Sequence, residues 1–357
     1  MTSFRNARIC VVPRVSGVGG MVSFKEKFSA AAVQRGVELC YDLADAPYQS
    51  VLVIGGSRQL AGLWQARRRG ARLVQRLDGM NWLHRVQPLG KQRRPEIRHF
   101  LRCEYGNLLL SVIRSRLADR LIYQSAFARD WWQRLHGPAA APNRVIHNGV
   151  DLSLYTPHGS AERPPDRFRL LMVEGSLMGG YELGLEAAVA LARQLAGRLQ
   201  NSPDASLRKG VELMVVGRVG VEVRQRWEQT ANILLSWTGL VESARIPELD
   251  RSAHLLYSSD INAACPNSVI EALACGLPVL SFDTGALPEM VTGDSGRVAP
   301  YGGNPWKLEP PDVGVLVEAA LEILTSQEKF RLAARARAEE AFSLERMVQS
   351  YLEVLLD

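Results

Sequence analysis

The sequence has no run of 18 apolar residues, so no stretch has the length that a membrane-spanning helix requires. Its five cysteines (Cys10, Cys40, Cys103, Cys265, Cys275) are odd in number and include no Cys-x-x-Cys pair. They read as reduced, mostly buried thiols of a cytosolic protein, not as bridges or zinc ligands. The six histidines are scattered and no Asp-x-Asp pair occurs, so no metal site is expected. The segment MTSFRNARICVV has no long apolar stretch with a small-residue cleavage site, so no secretory signal is expected. What is present is globular: 46% hydrophobic and 22% charged residues over 357 positions, too long for one ordinary core and suited to two domains.

The first half is poor in acid. Residues 1–163 hold 25 Lys+Arg against 11 Asp+Glu, or +14, while the remainder holds 18 against 26, or −8. The basic positions include Arg67-Arg68-Arg69 and the run from Lys91 to Arg102. Two readings stay open: an anionic partner for this half, or a solvated helix face.

Strand and helix patterns alternate along the chain. Ala7 to Pro13 reads as a buried strand, followed by a turn with Gly17, Gly19 and Gly20. Ser23-x-x-Glu26 reads as a capping box opening a helix with an apolar stripe of Phe24, Phe28, Ala31 and Ala32. Strand, glycine turn and helix N-terminus together favour an anion. Further strands are expected at Val37–Asp42, Val51–Ile54, Leu73–Leu77, Leu121–Gln124 and Val145–Ile146, with helices at 59–69, about 96–117 and 126–135. Asp78 ends the third of these strands, and Asn148-Gly149 reads as a structural turn. Residues 156–167, with three prolines, have a linker composition. The alternation then restarts. Leu170–Val173 is a strand entering the glycine turn Gly175-Ser176-Leu177-Met178-Gly179-Gly180, and a helix runs from Tyr181 to about Leu195. Strands at Leu213–Val216 and Ile233–Trp237 and a short helix at Ile246–Ala253 follow. Alternation of this kind gives parallel sheets covered on both faces.

The most informative stretch is Asp260 to Val291. Cys265-Pro266-Asn267 opens an apolar helix with one acid, Glu271; Gly276 and Pro278 end it. Val279–Phe282 is a strand, and Thr284-Gly285 turns into a short helix with Glu289 near its start. Helices over 314–324, 327–341 and from Ser343 complete the chain, the last with Met347, Tyr351 and Leu355 on one face.

With these pieces placed, the chain resembles the retaining glycosyltransferases of family 4, which have the GT-B fold. NSVIEALACGLPVLSFDTGALPEMV looks like that family's donor-site signature, VIHNGVDLSLYTP like its interdomain hinge, TGLV and LDRSA like its next strand and helix, and Ala333–Leu356 like its tail. The resemblance implies two Rossmann-like domains with an interdomain cleft: residues 1–163 for the acceptor, residues 164–342 for a nucleotide-sugar, and a terminal helix, 343–357, crossing back to the first domain. It implies transfer of a sugar, a hexose, to a hydroxyl acceptor with retention, without metal or cofactor, in the cytoplasm. Lipid-linked or polysaccharide precursors are the acceptors it suggests, with Arg67–Arg72 and Arg93–Arg102 against an anionic membrane face, and no nucleic acid partner.

On the same ground Glu271 matches the second acid of a Glu-x7-Glu motif and would hold the ribose diol, as a two-oxygen acceptor can. The first acid of that motif would stand at position 263, which is Ala263. The usual Arg and Lys after the second domain's first strand are also missing; backbone N–H groups of Gly175, Ser176, Gly179 and Gly180, with Arg218, are the substitutes. Gly19 and Gly20 would approach the donor, and Gly285 and Glu289 would contact its sugar. Asn267 is either a helix N-cap or a donor contact, and Asp78 is either a group at the reacting sugar or a turn former. Trp64 and Trp82 read as core. Two other readings remain: a sugar-nucleotide-binding protein that has lost or altered transferase activity, and a nicotinamide oxidoreductase, against which the third glycine of Gly-x-Gly-x-x-Gly is Val22.

Overall fold

The computed structural model describes residues 6–17, 19–86, 97–177 and 182–357. Among them, twelve strands form two six-stranded sheets, parallel throughout. The chain divides into two compact units, 1–149 with 344–357, and 150–343. The first division lies upstream of the expected 163/164. Residue 150 already belongs to the second unit, because the Val150 N–H donates to the Phe342 carbonyl and Val150 bridges Ser343.

The first unit runs β1 (Arg8–Val12), α1 (Gly20–Gln34), β2 (Glu38–Cys40), β3 (Ser50–Ile54), α2 (Leu60–Arg68), β4 (Arg72–Leu77), α3 (Leu83–Val86), α4 (Ile97–Val112), β5 (Arg120–Tyr123), α5 (Ala126–His136) and β6 (Asn143–Val145). Its sheet order is β2-β1-β3-β4-β5-β6. The α1 stripe of Phe24, Phe28, Ala31 and Ala32 is buried as its spacing predicts. The capping box is not where the sequence suggests: α1 starts earlier, with Gly19 at its N-cap and no side-chain cap, so Ser23 and Glu26 lie inside the helix. Trp64 is exposed on α2, with the Arg68 guanidinium stacked on its ring; it is not core.

The second unit runs β7 (Arg167–Ser176), α6 (Glu182–Gln200), β8 (Gly210–Arg218), α7 (Val221–Thr230), β9 (Leu234–Gly239), α8 (Ile246–Arg251), β10 (Leu255–Ser258), α9 (Asn267–Ala274), β11 (Val279–Phe282), α10 (Leu287–Met290), β12 (Gly296–Ala299), α11 (Val313–Thr325) and α12 (Gln327–Ala341). The sheet order is β12-β11-β10-β7-β8-β9. Three elements escape the sequence patterns: α7, which is mostly polar, and the short strands β10 and β12. Glu174, Gly175 and Ser176 continue β7, and Ser176 registers with Arg218. They are therefore strand rather than the expected turn, held by the neighbouring edge of β8.

The terminal helix α13 (Leu344–Leu356) belongs to the first unit. It buries Met347, Val348, Tyr351, Leu352 and Leu355 in the core that α1 shares with the sheet. The Tyr351 ring lies 5.0 Å from Phe24 and 5.8 Å from Phe28.

Candidate functional site

A parallel sheet offers a ligand the carboxyl ends of its strands, at the point where strand order reverses. In the second unit that point lies between β7 and β10, the adjacent central strands. Glu174 stands at the end of β7 and Asp260 just beyond β10. The Ser259 hydroxyl donates to Glu174 Oε1 at 2.5 Å. Burial pushes the Glu174 carboxyl well above the ordinary carboxylate range, and the charge of Asp260 adds to it. Burial likewise pushes Asp260 up to about 6. Each carboxyl is thus held toward its neutral form, and the charge of Asp260 opposes ionisation of Glu174. Asp260 also lines a small pocket, together with Gly184, Tyr257, Ser259 and Thr284 among others.

Beside this pair, two loops are locked together. The Ala286 N–H donates to the Ala263 carbonyl at 2.8 Å, and the Thr284 hydroxyl to the Asp260 carbonyl at 3.4 Å. Gly285 has φ +62°, and a β-carbon there would lie 2.5 Å from the Ala263 backbone N and O. Only glycine fits, so the loop after β11 fixes the loop that contains Ala263. Gly217 meets a similar constraint, with φ +136° and a β-carbon there falling 2.0 Å from the Glu174 carbonyl oxygen.

Glu271 lies half-buried on α9. Its carboxylate is hydrogen-bonded by the Tyr155 hydroxyl, which also points to the Ser243 carbonyl at 3.3 Å. Asp250 of α8 is buried close by; burial first, then the charge of Glu271, pushes its carboxyl well above the usual range. Burial, with Glu271 and Asp250 behind it, raises the Tyr155 phenol. Asn267 is the first residue of α9, whose N-cap is Pro266 with no side-chain capping bond, so the capping alternative fails. Glu289 lies in the first turn of α10, and its carbonyl accepts from the Arg337 guanidinium at 2.8 Å. Arg218 ends β8 exposed, and its carbonyl accepts from the Leu177 N–H. Gly179 and Gly180 lie outside the described residues.

In the first unit the strand order reverses between β1 and β3. The loop after β1 leads through Gly19 (φ +139°) to Gly20 at the start of α1, and both glycines face open space. Met21 of the first turn packs over Gly55, the residue after β3. Asp78 follows β4; burial raises its carboxyl and the Arg76 charge opposes this. The Arg76 guanidinium is itself buried, 4.0 Å from the centre of the Phe24 ring, and donates to Asn148 Oδ1 at 2.8 Å. Asn148 in turn donates to Gln124 at 3.2 Å. The Asn148 turn is thus structural, as its sequence suggests. Gly19, Gly20, Asp78, Arg218 and Gly285 end or follow strands of their sheets, whereas Glu271 lies on α9 beside Tyr155 and Asp250. Sequence reasoning did not assign Glu174, Ser259, Asp250 or Tyr155. Their one signal is position: Glu174 follows LLMV, and Ser259-Asp260 follows LLYS.

Comparison with solved structures places this architecture. The fold matches sucrose-phosphate synthase from Thermosynechococcus elongatus with a TM-score of 0.74 at 17% identity, covering 98% of each chain. It matches Anabaena HepE, solved with UDP and glucose, with a TM-score of 0.66 at 15% identity over 98% and 99% of the two chains. The chain has the GT-B fold. Residues 186–326 match the family described as "Glycosyl transferases group 1". A D-inositol 3-phosphate glycosyltransferase of Geodermatophilus obscurus is 29% identical over 244 residues, 65% of this chain and 51% of that protein. The match thus spans about half the length of that curated relative. Residues 186–326 thus carry a likeness to the group 1 glycosyltransferases, within a chain of GT-B fold.

Proposed function

We propose that the protein transfers a sugar from a nucleotide-sugar to a hydroxyl acceptor, with retention and without a metal. The observation that carries the reading is the group 1 match over 186–326, which contains Glu271, Gly285 and Glu289. Glu271 accepts from the ribose hydroxyls while Tyr155 holds its carboxylate from behind. The locked loops at Ala263 and Gly285 present backbone to the sugar, with Asn267 and Glu289 beside them. Gly19 and Gly20 open α1 toward negative charge, and Asp78 contacts the reacting sugar. Arg218 brings positive charge to the diphosphate, since no cation follows β7 in the described residues. The Glu174–Asp260 pair tolerates that anion by keeping a proton. The acceptor hydroxyl passes its proton to the departing phosphate on the same face. The first unit holds the acceptor, a lipid-linked or polysaccharide precursor, and its basic surface meets an anionic membrane face.

A thermal-shift panel of nucleotide-sugars, followed by mass spectrometry of products with candidate acceptors, tests this. A specific stabilisation and a glycosylated product are expected. Stabilisation without any product would favour a sugar-nucleotide-binding protein, the reading that Ala263 motivates. No stabilisation by any nucleotide-sugar would overturn both.

A further inference from the structure

Two of the cysteines stand side by side across adjacent strands. Cys10 of β1 and Cys40 of β2 are register partners in the first unit's parallel sheet. Neighbouring strands lie about 4.8 Å apart, inside the range of about 4.4–6.8 Å that a disulfide spans between Cα atoms. Successive residues of a strand alternate faces, and these two share one. Both are buried in the core that holds Leu43, Val53 and Leu63, while their neighbours Ile9, Val11 and Leu39 face the core shared with α1 and α13. Each thiol is the other's hydrogen-bond partner. Both are free thiols in the structure. Cys103 faces His99 at 3.6 Å, and Cys275 faces Asp250.

Access comes from the sheet edge. β2 is a terminal strand of its sheet, three residues long, and pairs with β1 alone. Such an edge opens locally without unfolding of the whole unit. Burial pushes both thiols up, so the pair is protonated at rest. On Cys40 the Cys10 hydrogen bond and the Arg8 charge favour the thiolate, against Asp45 and Glu38. On Cys10 the charges of Cys40, Asp45 and Asp42 all act in the same direction as burial. Cys40 is therefore the attacking thiol. We propose that Cys10 and Cys40 form a redox-active dithiol, a modification site at which a small disulfide of the glutathione class is the oxidant and a cross-strand disulfide the product. Cys40 loses its proton to solvent and attacks one sulfur of the oxidant. The oxidant's S–S bond breaks, a mixed disulfide forms on Cys40 and one glutathione thiolate leaves. Cys10 then gives up its proton and attacks the Cys40 sulfur, expelling the second glutathione thiolate. The cysteines lose one electron pair, the oxidant's sulfurs gain it, and the released protons end on the departing thiolates. The bridge staples β2 to β1, the strand that leads to Gly19 and Gly20. It involves neither a sugar donor nor an acceptor and is independent of the transferase reading.

The test is incubation of the folded full chain with oxidised glutathione, an acid quench, alkylation of the remaining thiols and digestion without reduction. Mass spectrometry then reads the pairing. A linked peptide pair joining Cys10 to Cys40 is expected as the dominant disulfide, with both free thiols lost and both restored by dithiothreitol. Cys103, which is only half-buried, carries glutathione as a mixed disulfide and shows that the oxidant was active. In Cys10→Ser the glutathione is expected to stay on Cys40, because no second thiol expels it. Oxidation in urea is expected to spread the pairing over all the cysteines. Cys10 and Cys40 both left reduced while Cys103 is modified would overturn the proposal. So would glutathione held on Cys40 of the wild type without the bridge, a bridge from Cys10 to any other cysteine, or the same dominant pairing in urea, which would assign it to the chain and not to the fold. The wild-type measurement decides the matter even where the serine variant does not fold.

Discussion

At the scale of single residues, the second unit places its acids in two neighbourhoods with different physics. Glu271 is half-buried and hydrogen-bonded by Tyr155, a carboxylate with acceptor capacity left for a ligand. Glu271→Ala is expected to raise the donor KM or abolish turnover, with at most a small change in melting temperature; steady-state kinetics on the active donor would show it. Unchanged kinetics would remove Glu271 from the site. Glu174 and Asp260 are half-buried at the strand ends, where desolvation of the carboxyl favours the neutral form. For Asp260 the folded value of about 6 lies above the ordinary 3.8, so the folded chain binds the proton more tightly than the unfolded one between those values. Stability therefore falls as pH rises through that window. Asp260→Asn is expected to flatten this decline, and to weaken the loss of donor affinity as pH passes about 6; urea denaturation and donor titrations across pH measure both. Glu104 acts in the opposite sense at lower pH, where its ion pair with Arg85 holds it down to about 2.

At the scale of elements, α13 stabilises a unit to which it is not adjacent in sequence. Its burial of Tyr351 against Phe24 and Phe28 ties the last residues to the first helix. Tyr351→Ala removes a fully buried ring and is expected to cost about 3–5 kcal/mol, by analogy with Phe→Ala substitutions. Urea unfolding followed by fluorescence would show it, and a loss below about 1 kcal/mol would mean that the site closes up around the missing ring. The element-level differences from the sequence reading have one cause. α1 begins at Gly20, behind the N-cap Gly19, where Met21 packs over Gly55, whatever Ser23 and Glu26 offer as a cap. β7 runs on through Gly175 because β8 supplies its partner.

At the scale of the whole molecule, the two units have separate cores, and one of them is discontinuous in sequence. A chain ending at residue 343 is expected to lose stability selectively. Calorimetry should show a lowered or absent transition for the first unit and a retained one for 150–343. A uniform loss in both would mean that the units unfold as one. The same discontinuity explains why a linker composition at 156–167 is a poor guide to the boundary: strand bridging at Val150 and Ser343 places it.

The sequence by itself determined the α/β class, most strands and helices, and the stretch around Glu271 and Gly285 that carries the family resemblance. Those properties are local: period, turn chemistry, and an acid on an apolar helix. It also displayed Ala263 and the missing cations after β7. Tertiary structure alone decided what stands near those positions. The strand order brings Glu174 beside Asp260, 86 positions apart in sequence, while packing of α8 on α9 brings Asp250, and the segment after Val150 brings Tyr155, beside Glu271. Whether a carboxyl is charged depends on such neighbours and on burial, and neither is written in the residue's own stretch of chain.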